Sequence, residues 1–234
     1  PEHGGMGFGA VEAMVVMEEL GRGLVNAPFA VGALVAPSLI QDAHWLARIA
    51  DGSALVVLAH QEQGARYRFD MPTTTASQQA GAWVLSGRKS IVPAGDEADA
   101  FIVPARVGAH AVSPIGLFLV ERARTQVRAY PTADGARAAD VTLAASPATL
   151  LTSDALPALE AAADIGIAAA CAEGVGAMDR LVAITVEYMN TRKQFGATLA
   201  SFQALRHRMA DVKMQLELAR GMSYFASLKL NEPA

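Results

Sequence analysis

Apolar and polar positions change their period twice along the chain. Up to about residue 53 the apolar residues recur at helical spacing, which predicts a helix at about Ala10 to Leu20 behind the glycine-rich loop Pro1-Glu2-His3-Gly4-Gly5-Met6-Gly7. A second helical run follows at roughly Pro28 to Ile40, after the turn Gly21-Arg22-Gly23, and a third short one at Gln41 to Ile49. From about Leu55 the pattern becomes short β-branched runs separated by Gly, Pro and Asp: Leu55–Ala59, Arg66–Asp70, Ala82–Leu85, Ile91–Val92, Ala100–Val103, Ile115–Val120, Val127–Tyr130 and Val141–Leu143. Closely spaced short strands with turn residues between them predict a small antiparallel barrel or sandwich.

Beyond Pro157 the helical period returns. Ala158 to Lys193 is rich in alanine and carries Gly166, Gly174 and Gly176, small residues that let neighbouring backbones approach closely. This helix is expected to end on Arg192 and Lys193, to break at Gly196 and to restart from a Ser201 cap. In the last helix Phe202, Leu205, Met209, Val212, Leu216 and Ala219 alternate three and four apart, a narrow seam expected to be buried against another helix or subunit. The whole is an α+β chain in three segments: helical residues 1–53, a β-barrel domain at 54–152 and part of a helical bundle at 153–234.

Composition narrows the function classes. With 234 residues, 52% of them hydrophobic, and a mean hydropathy of +0.26, the chain can bury a large core. A net charge of -4 argues against nucleic acid as the main partner, because binding a phosphate backbone needs clustered excess cations. No run approaches the ~18–20 apolar residues of a membrane span, and no signal-peptide pattern opens the chain, so a cytoplasmic protein is expected. The single cysteine, Cys171, cannot form an internal disulfide and reads as a small buried apolar residue in a reducing compartment. The chain opens at Pro1 without a methionine and ends at Ala234 just past a helix, so it is expected to be a piece of a longer polypeptide.

The densest candidate chemistry is Thr191-Arg192-Lys193-Gln194-Phe195-Gly196, followed by Ser201-Phe202-Gln203 and then Met209-Ala210-Asp211. The corner offers a guanidinium for bidentate phosphate recognition, an aromatic ring and an amide, which together suit a dinucleotide. A plainer reading is a helix C-terminus with cations against its dipole and a glycine stop. With Phe-Gln at its offset and the order helices, barrel, helices, the chain resembles the acyl-CoA dehydrogenase family of flavoproteins. The resemblance implies FAD as cofactor, with Arg192 at the pyrophosphate, Phe195 lining the cofactor and Gln203 bonding near the adenosine, all of a neighbouring protomer. It also implies an N-terminal helical segment and C-terminal helices outside the chain.

The same resemblance points to two barrel segments. Gln61-Glu62-Gln63-Gly64-Ala65-Arg66-Tyr67 stands where the family carries a T-E-P-x-A-G-S-type flavin segment, keeping Glu62 and Gly64 but placing Gln61 at the threonine and Tyr67 at the serine. Glu62 reads equally as a solvated strand end. Gly87-Arg88-Lys89-Ser90-Ile91-Val92-Pro93 stands where the family presents an aromatic and a hydroxyl beside the flavin. Here Ile91 replaces the aromatic, and Pro93 replaces the hydroxyl with a residue that offers neither O–H nor N–H.

Dehydrogenation of an acyl-CoA thioester to a trans-2-enoyl-CoA needs a carboxylate base, and the family's usual glutamate would lie beyond Ala234. An alternative position falls at about Gly166, which cannot act as a base; Asp164 and Glu160 are nearby but read better as early-helix acids. Implied partners are an acyl-CoA substrate, an electron-transfer flavoprotein and further subunits of a homo- or hetero-oligomer. The stretch Tyr130-Pro131-Thr132-Ala133-Asp134-Gly135, with other details, is similar to the small subunit of heteromeric pimeloyl-CoA-type dehydrogenases. Two readings therefore stand: a working dehydrogenase, or an accessory subunit that completes a partner's FAD site. A related acyl-CoA oxidase or flavin monooxygenase is a third reading.

Overall fold

The computed structural model describes residues 2–65, 67–108 and 113–230. The chain divides into two compact units: residues 1–7 with 27–166, and residues 8–26 with 167–234.

In the first unit, a π-helical turn Ala30–Val35 runs into a short helix, α2 (Ala36–Ser38), and a further helix, α3 (Ala43–Ala50), follows. Asp42 caps α3, accepting from the His44 N–H at 2.9 Å and the Trp45 N–H at 3.2 Å, so α3 starts two residues later than Gln41. The strands are β1 (Val56–Leu58), β2 (Thr75–Gln79), β3 (Ala82–Pro93), β4 (Ala100–Val107), β5 (Ile115–Glu121), β6 (Gln126–Pro131) and β7 (Arg137–Thr152). Their order is β1-β4-β2-β3-β7-β5, with β5 also pairing β4, so the sheet closes on itself; β6 lies on β7. Pairing is antiparallel except where β1 and β2 run parallel to β4, one beyond the other along its length.

Several expected strands merge or move. Ala82–Leu85 and Ile91–Val92 are one strand, β3, bent by register shifts at Leu85/Gly87 and Lys89/Val92. Val141–Leu143 is the middle of the sixteen-residue β7. No strand forms at 67–70, and Arg66 lies outside the described residues. Strand β2 was not expected at all, because Thr75-Ala76-Ser77-Gln78-Gln79 buries only Ala76. At Gly87 the backbone passes so close to Thr74 that a Cβ would stand 2.7 Å from its Cα, which explains the glycine at the first bend.

Strand β4 is buried on both faces, as its continuous apolar run requires. Phe101 and Val103 point into the barrel with Val57, Leu85, Val92, Phe118, Val120 and Val141. Ile102 faces the other way, toward Val35, Leu39, Ile40, Leu159 and Ala162. The helix α4 (Leu156–Thr191) thus begins in this unit as the cover of one barrel face.

The second unit joins the first helix, α1 (Ala10–Gly23), to the rest of α4 and to α5 (Gln203–Lys229). Gly21 and Gly176 explain how closely α1 meets α4: a Cβ on Gly21 would overlap the Glu173 carbonyl, and one on Gly176 the Glu18 carbonyl. Gly174 has open space, and a Cβ on Gly166 would make only an ordinary contact with Val35. Around the crossing, Arg22 pairs with Glu18, Glu19 and Asp179, and Arg220 with Glu18 and Asp179.

Within this chain alone, the α5 seam is only partly covered. Leu216 is buried, but Leu205 and Val212 are exposed, and the buried face continues through Ser223 and Ser227. Small side chains permit closer packing than the apolar periodicity alone suggests. Cys171 is exposed on α4 rather than buried.

Candidate functional site

Helix α4 ends at Thr191, one residue before the cations, although the Arg192 N–H still bonds the Tyr188 carbonyl at 2.8 Å. Two-residue strands β8 (Lys193–Gln194) and β9 (Ala197–Thr198) then form a tight hairpin around Phe195 and Gly196, with φ of 54° and 79°. Both turn residues are left-handed, as a two-residue hairpin of this hand demands. Gly196 adopts that conformation without penalty, whereas Phe195 is strained and, as a residue, 94% exposed. Its edge meets Phe202, with ring centroids 6.3 Å apart.

Phe202, not Ser201, occupies the cap of α5, and the Ser201 hydroxyl instead donates to the Thr198 carbonyl at 2.7 Å. Phe202 has no side-chain oxygen to offer the first turn of α5, which has no side-chain cap, and its own N–H donates to the Leu199 carbonyl at 3.1 Å. The Leu199 N–H closes the corner on the Arg192 carbonyl at 2.9 Å. Arg192, Phe195 and Gln203 are thereby carried by one hairpin-helix corner, all three exposed, and Gln203 opens a groove along α5 lined by Arg206, His207, Ala210 and Asp211.

The two barrel segments are also brought together. The Ser90 N–H donates to the Gln61 carbonyl at 2.8 Å, and Lys89 reaches Glu62. Glu62 is not a solvated strand end: it lies outside any strand and is 4% exposed. Its carboxylate accepts from the Thr73 N–H and hydroxyl, the Thr74 N–H and hydroxyl, and the Lys89 ammonium at 2.6 Å. These contacts occupy both oxygens, so the carboxylate shapes the 61–74 segment from within. Lys89 is wholly buried and also donates to the Pro104 carbonyl at 2.8 Å.

Burial raises the Glu62 pKa, but the Lys89 charge and the hydrogen bonds from Lys89, Thr73 and Thr74 outweigh it and hold the group at about 2. Burial lowers Lys89 to about 8 against the opposing pull of Glu62. His60, edge-on to Phe69, is lowered to about 4 by burial and then by the Lys89 charge.

A pH dependence follows. A group whose folded pKa is depressed contributes stability above its unfolded pKa and loses it as pH falls toward the folded value. His60 should therefore erode stability between about pH 6.5 and 4, and Glu62 below it, between about 4.5 and 2. The slope in the upper window is expected to approach 1.36 kcal/mol per pH unit. His60→Leu should flatten it, as read from denaturation midpoints across that range; an unchanged slope would remove His60 as the cause.

The second barrel segment is strained. Ile91 and Ala94 have φ of 52° and 51°, and Ile91 is 54% exposed at the β3 bulge. Left-handed geometry in a β-branched residue costs on the order of 1–3 kcal/mol. The Ile91 N–H donates to the Tyr130 hydroxyl at 3.1 Å, and the Ala94 N–H to the Arg137 carbonyl at 2.9 Å. Pro93 is exposed and paired opposite Ala138. Glu160 and Asp164 are exposed on α4, and Gly166 lies half-buried beside Val35. At 3.6 residues per turn, Asp164 points about 200° around the helix from position 166.

In sequence order, a closed barrel follows one helical segment and precedes another that carries a cationic, aromatic corner, which is the layout of a flavoprotein dehydrogenase fold. The chain belongs to the acyl-CoA dehydrogenase family. Residues 158–233 match the family described as acyl-CoA dehydrogenase, C-terminal domain. Acyl-CoA dehydrogenase IpdE2 of Mycobacterium tuberculosis is 32% identical over 225 residues, covering 94% of this chain and 57% of that protein. Acyl-CoA dehydrogenase FadE12 of the same organism is 28% identical over 254 residues, covering 97% of this chain and 63% of that protein. The chain thus spans about three fifths of the length of these relatives. A solved variant of the Tcur3481-Tcur3483 steroid ACAD is similar with a TM-score of 0.86 and 29% identity, covering 100% of this chain and 65% of that one.

The corner and the barrel segment differ in what each could offer the family's flavin. At the corner, the exposed Arg192 guanidinium, Phe195 ring and Gln203 amide have the chemistry to hold pyrophosphate and adenosine. On the barrel, the N–H groups of Ser90, Ile91 and Ala94 are already bonded within the chain, and Pro93 has none. Sequence reasoning did not find His60, Lys89, Tyr130 or Asp140. Lys89 stands within the Gly87–Pro93 stretch, but no local pattern marks a lysine for burial.

Proposed function

We propose that the protein is a subunit of an FAD-dependent acyl-CoA dehydrogenase that converts an acyl-CoA thioester to its trans-2-enoyl-CoA. When bound, the flavin supplies the acceptor for the hydride leaving the β carbon. The observation that carries the reading is the corner at 192–203, where an arginine, a strained exposed phenylalanine and a glutamine share one surface of a chain in this family. Arg192 would meet the pyrophosphate, Phe195 the cofactor's flank and Gln203 the adenosine side, in the site of a neighbouring subunit. Ile91 and Pro93 would lie beside the flavin through their side chains rather than through donors. Glu62 would keep that segment in place from inside the barrel.

The partners under this reading are an acyl-CoA, an electron-transfer flavoprotein and further dehydrogenase subunits, in the cytoplasm. Among the described residues no helix is long and apolar enough to cross a membrane. The division into segments 1–53, 54–152 and 153–234 is part of the same proposal.

A second reading, an accessory subunit completing a partner's FAD site, draws on Pro93 and the committed N–H groups beside it. It is also supported by the similar solved structure, whose name couples two polypeptides.

The base is proposed to lie outside residues 1–234. Proton abstraction needs a carboxylate within about 2.6–3.2 Å of its target, and Asp164 points away from position 166. Asp164→Asn and Glu160→Gln in the full-length assembly should leave dye-linked acyl-CoA oxidation within a small factor of the parent. A loss of several orders of magnitude in kcat for Asp164→Asn, with FAD still bound, would place the base in this segment instead.

A further inference from the structure

A left-handed β-branched residue persists only where its surroundings over-determine it. At Ile91 the determinant is a polar cluster on the outer face of the barrel. Its N–H donates to the Tyr130 hydroxyl at 3.1 Å and, more weakly, to Asp140 Oδ1 at 3.4 Å. The Tyr130 hydroxyl donates in turn to the same Asp140 oxygen at 3.1 Å, and the other Asp140 oxygen accepts from Arg88 at 2.6 Å. The phenol proton is therefore committed to the carboxylate, and an oxygen lone pair is left to face Ile91.

The register places this cluster beside the second flavin segment. Pro93 pairs with Ala138 on β7, and Ala138 with Tyr130 on β6, so the three form one row across the sheet with side chains on the same face. Among the described residues strand β6 pairs only β7, so Tyr130 reaches the bulge from the sheet's margin by the length of its own ring. The Asp140 carboxylate is raised by burial but held below its usual range by the Arg88 and Tyr130 hydrogen bonds, which keeps it an acceptor at neutral pH.

Resting on the functional reading above, we infer that Tyr130, oriented by Asp140 and Arg88, is a positioning residue for the flavin. It fixes the Ile91–Pro93 bulge that Pro93, lacking an N–H, cannot fix for itself.

The test is Tyr130→Phe in the full-length protein reconstituted with FAD. The variant should keep its fold, shift the flavin's visible absorption and circular dichroism bands, and weaken FAD binding about threefold to tenfold, the effect of one neutral hydrogen bond. Asp140→Asn should show the same spectral shift, and Asp140→Glu should restore part of it. An unchanged spectrum with unchanged affinity overturns the inference, as does a lower melting temperature with an unchanged flavin spectrum. If the parent binds no FAD, either alone or with its dehydrogenase partner, the functional reading fails on its own. Amide exchange then decides the clamp: Tyr130→Phe must speed exchange of the Ile91 N–H about tenfold, and an unchanged rate overturns it.

Discussion

Lys89→Ala is expected to destabilise the barrel by about 3–5 kcal/mol, the usual cost of breaking a buried ion pair from one side. The ammonium is wholly buried and bonded to Glu62 and the Pro104 carbonyl. Removing it leaves an uncompensated carboxylate beside Thr73 and Thr74, in a segment whose other end is tied to Ser90. Lys89→Met with Glu62→Gln should cost much less than the two single changes added, because the unpaired charge never arises. Urea denaturation at neutral pH reads all three. A Lys89→Ala loss below about 1 kcal/mol, the range of exposed pairs, would mean that water reaches the pair.

Arg192→Ala should weaken FAD binding by the loss of a charge-assisted hydrogen bond, about 1.5–3 kcal/mol, or roughly tenfold to 150-fold in Kd. Arg192→Lys should fall between, since it keeps the charge and loses the planar fork that matches a phosphate. Titration of the full-length apoprotein with FAD, followed by flavin fluorescence, measures both. Equal affinities for parent and Arg192→Ala would detach the corner from the cofactor.

The helices and most strands are legible in the sequence because each rests on a local period, and the corner at 192–203 is legible because its residues are near neighbours. Features that depend on distant partners are not. Nothing local marks Lys89 for burial, which a glutamate 27 positions away makes possible. Tyr130 meets Ile91 across 39 positions, so nothing near either residue announces the contact. Arg66–Asp70 alternates like a strand yet finds no neighbour at 67–70, while the polar β2 forms because β3 and the end of β4 flank it. Position also decides Ser201, a good cap by composition that the 3-10 turn before α5 draws to Thr198.

Under the proposed function, this chain supplies a working part of a flavin site for acyl-CoA dehydrogenation. That role is tested most directly by adding acyl-CoA thioesters, without oxygen, to the full-length protein reconstituted with FAD, alone and with its dehydrogenase partner. The flavin's visible band should bleach in at least one of these assemblies, and more slowly or at lower occupancy in Arg192→Ala. A parent assembly that retains FAD stoichiometrically and is not bleached by any acyl-CoA, or one that bleaches identically with Arg192→Ala at limiting FAD, would contradict it.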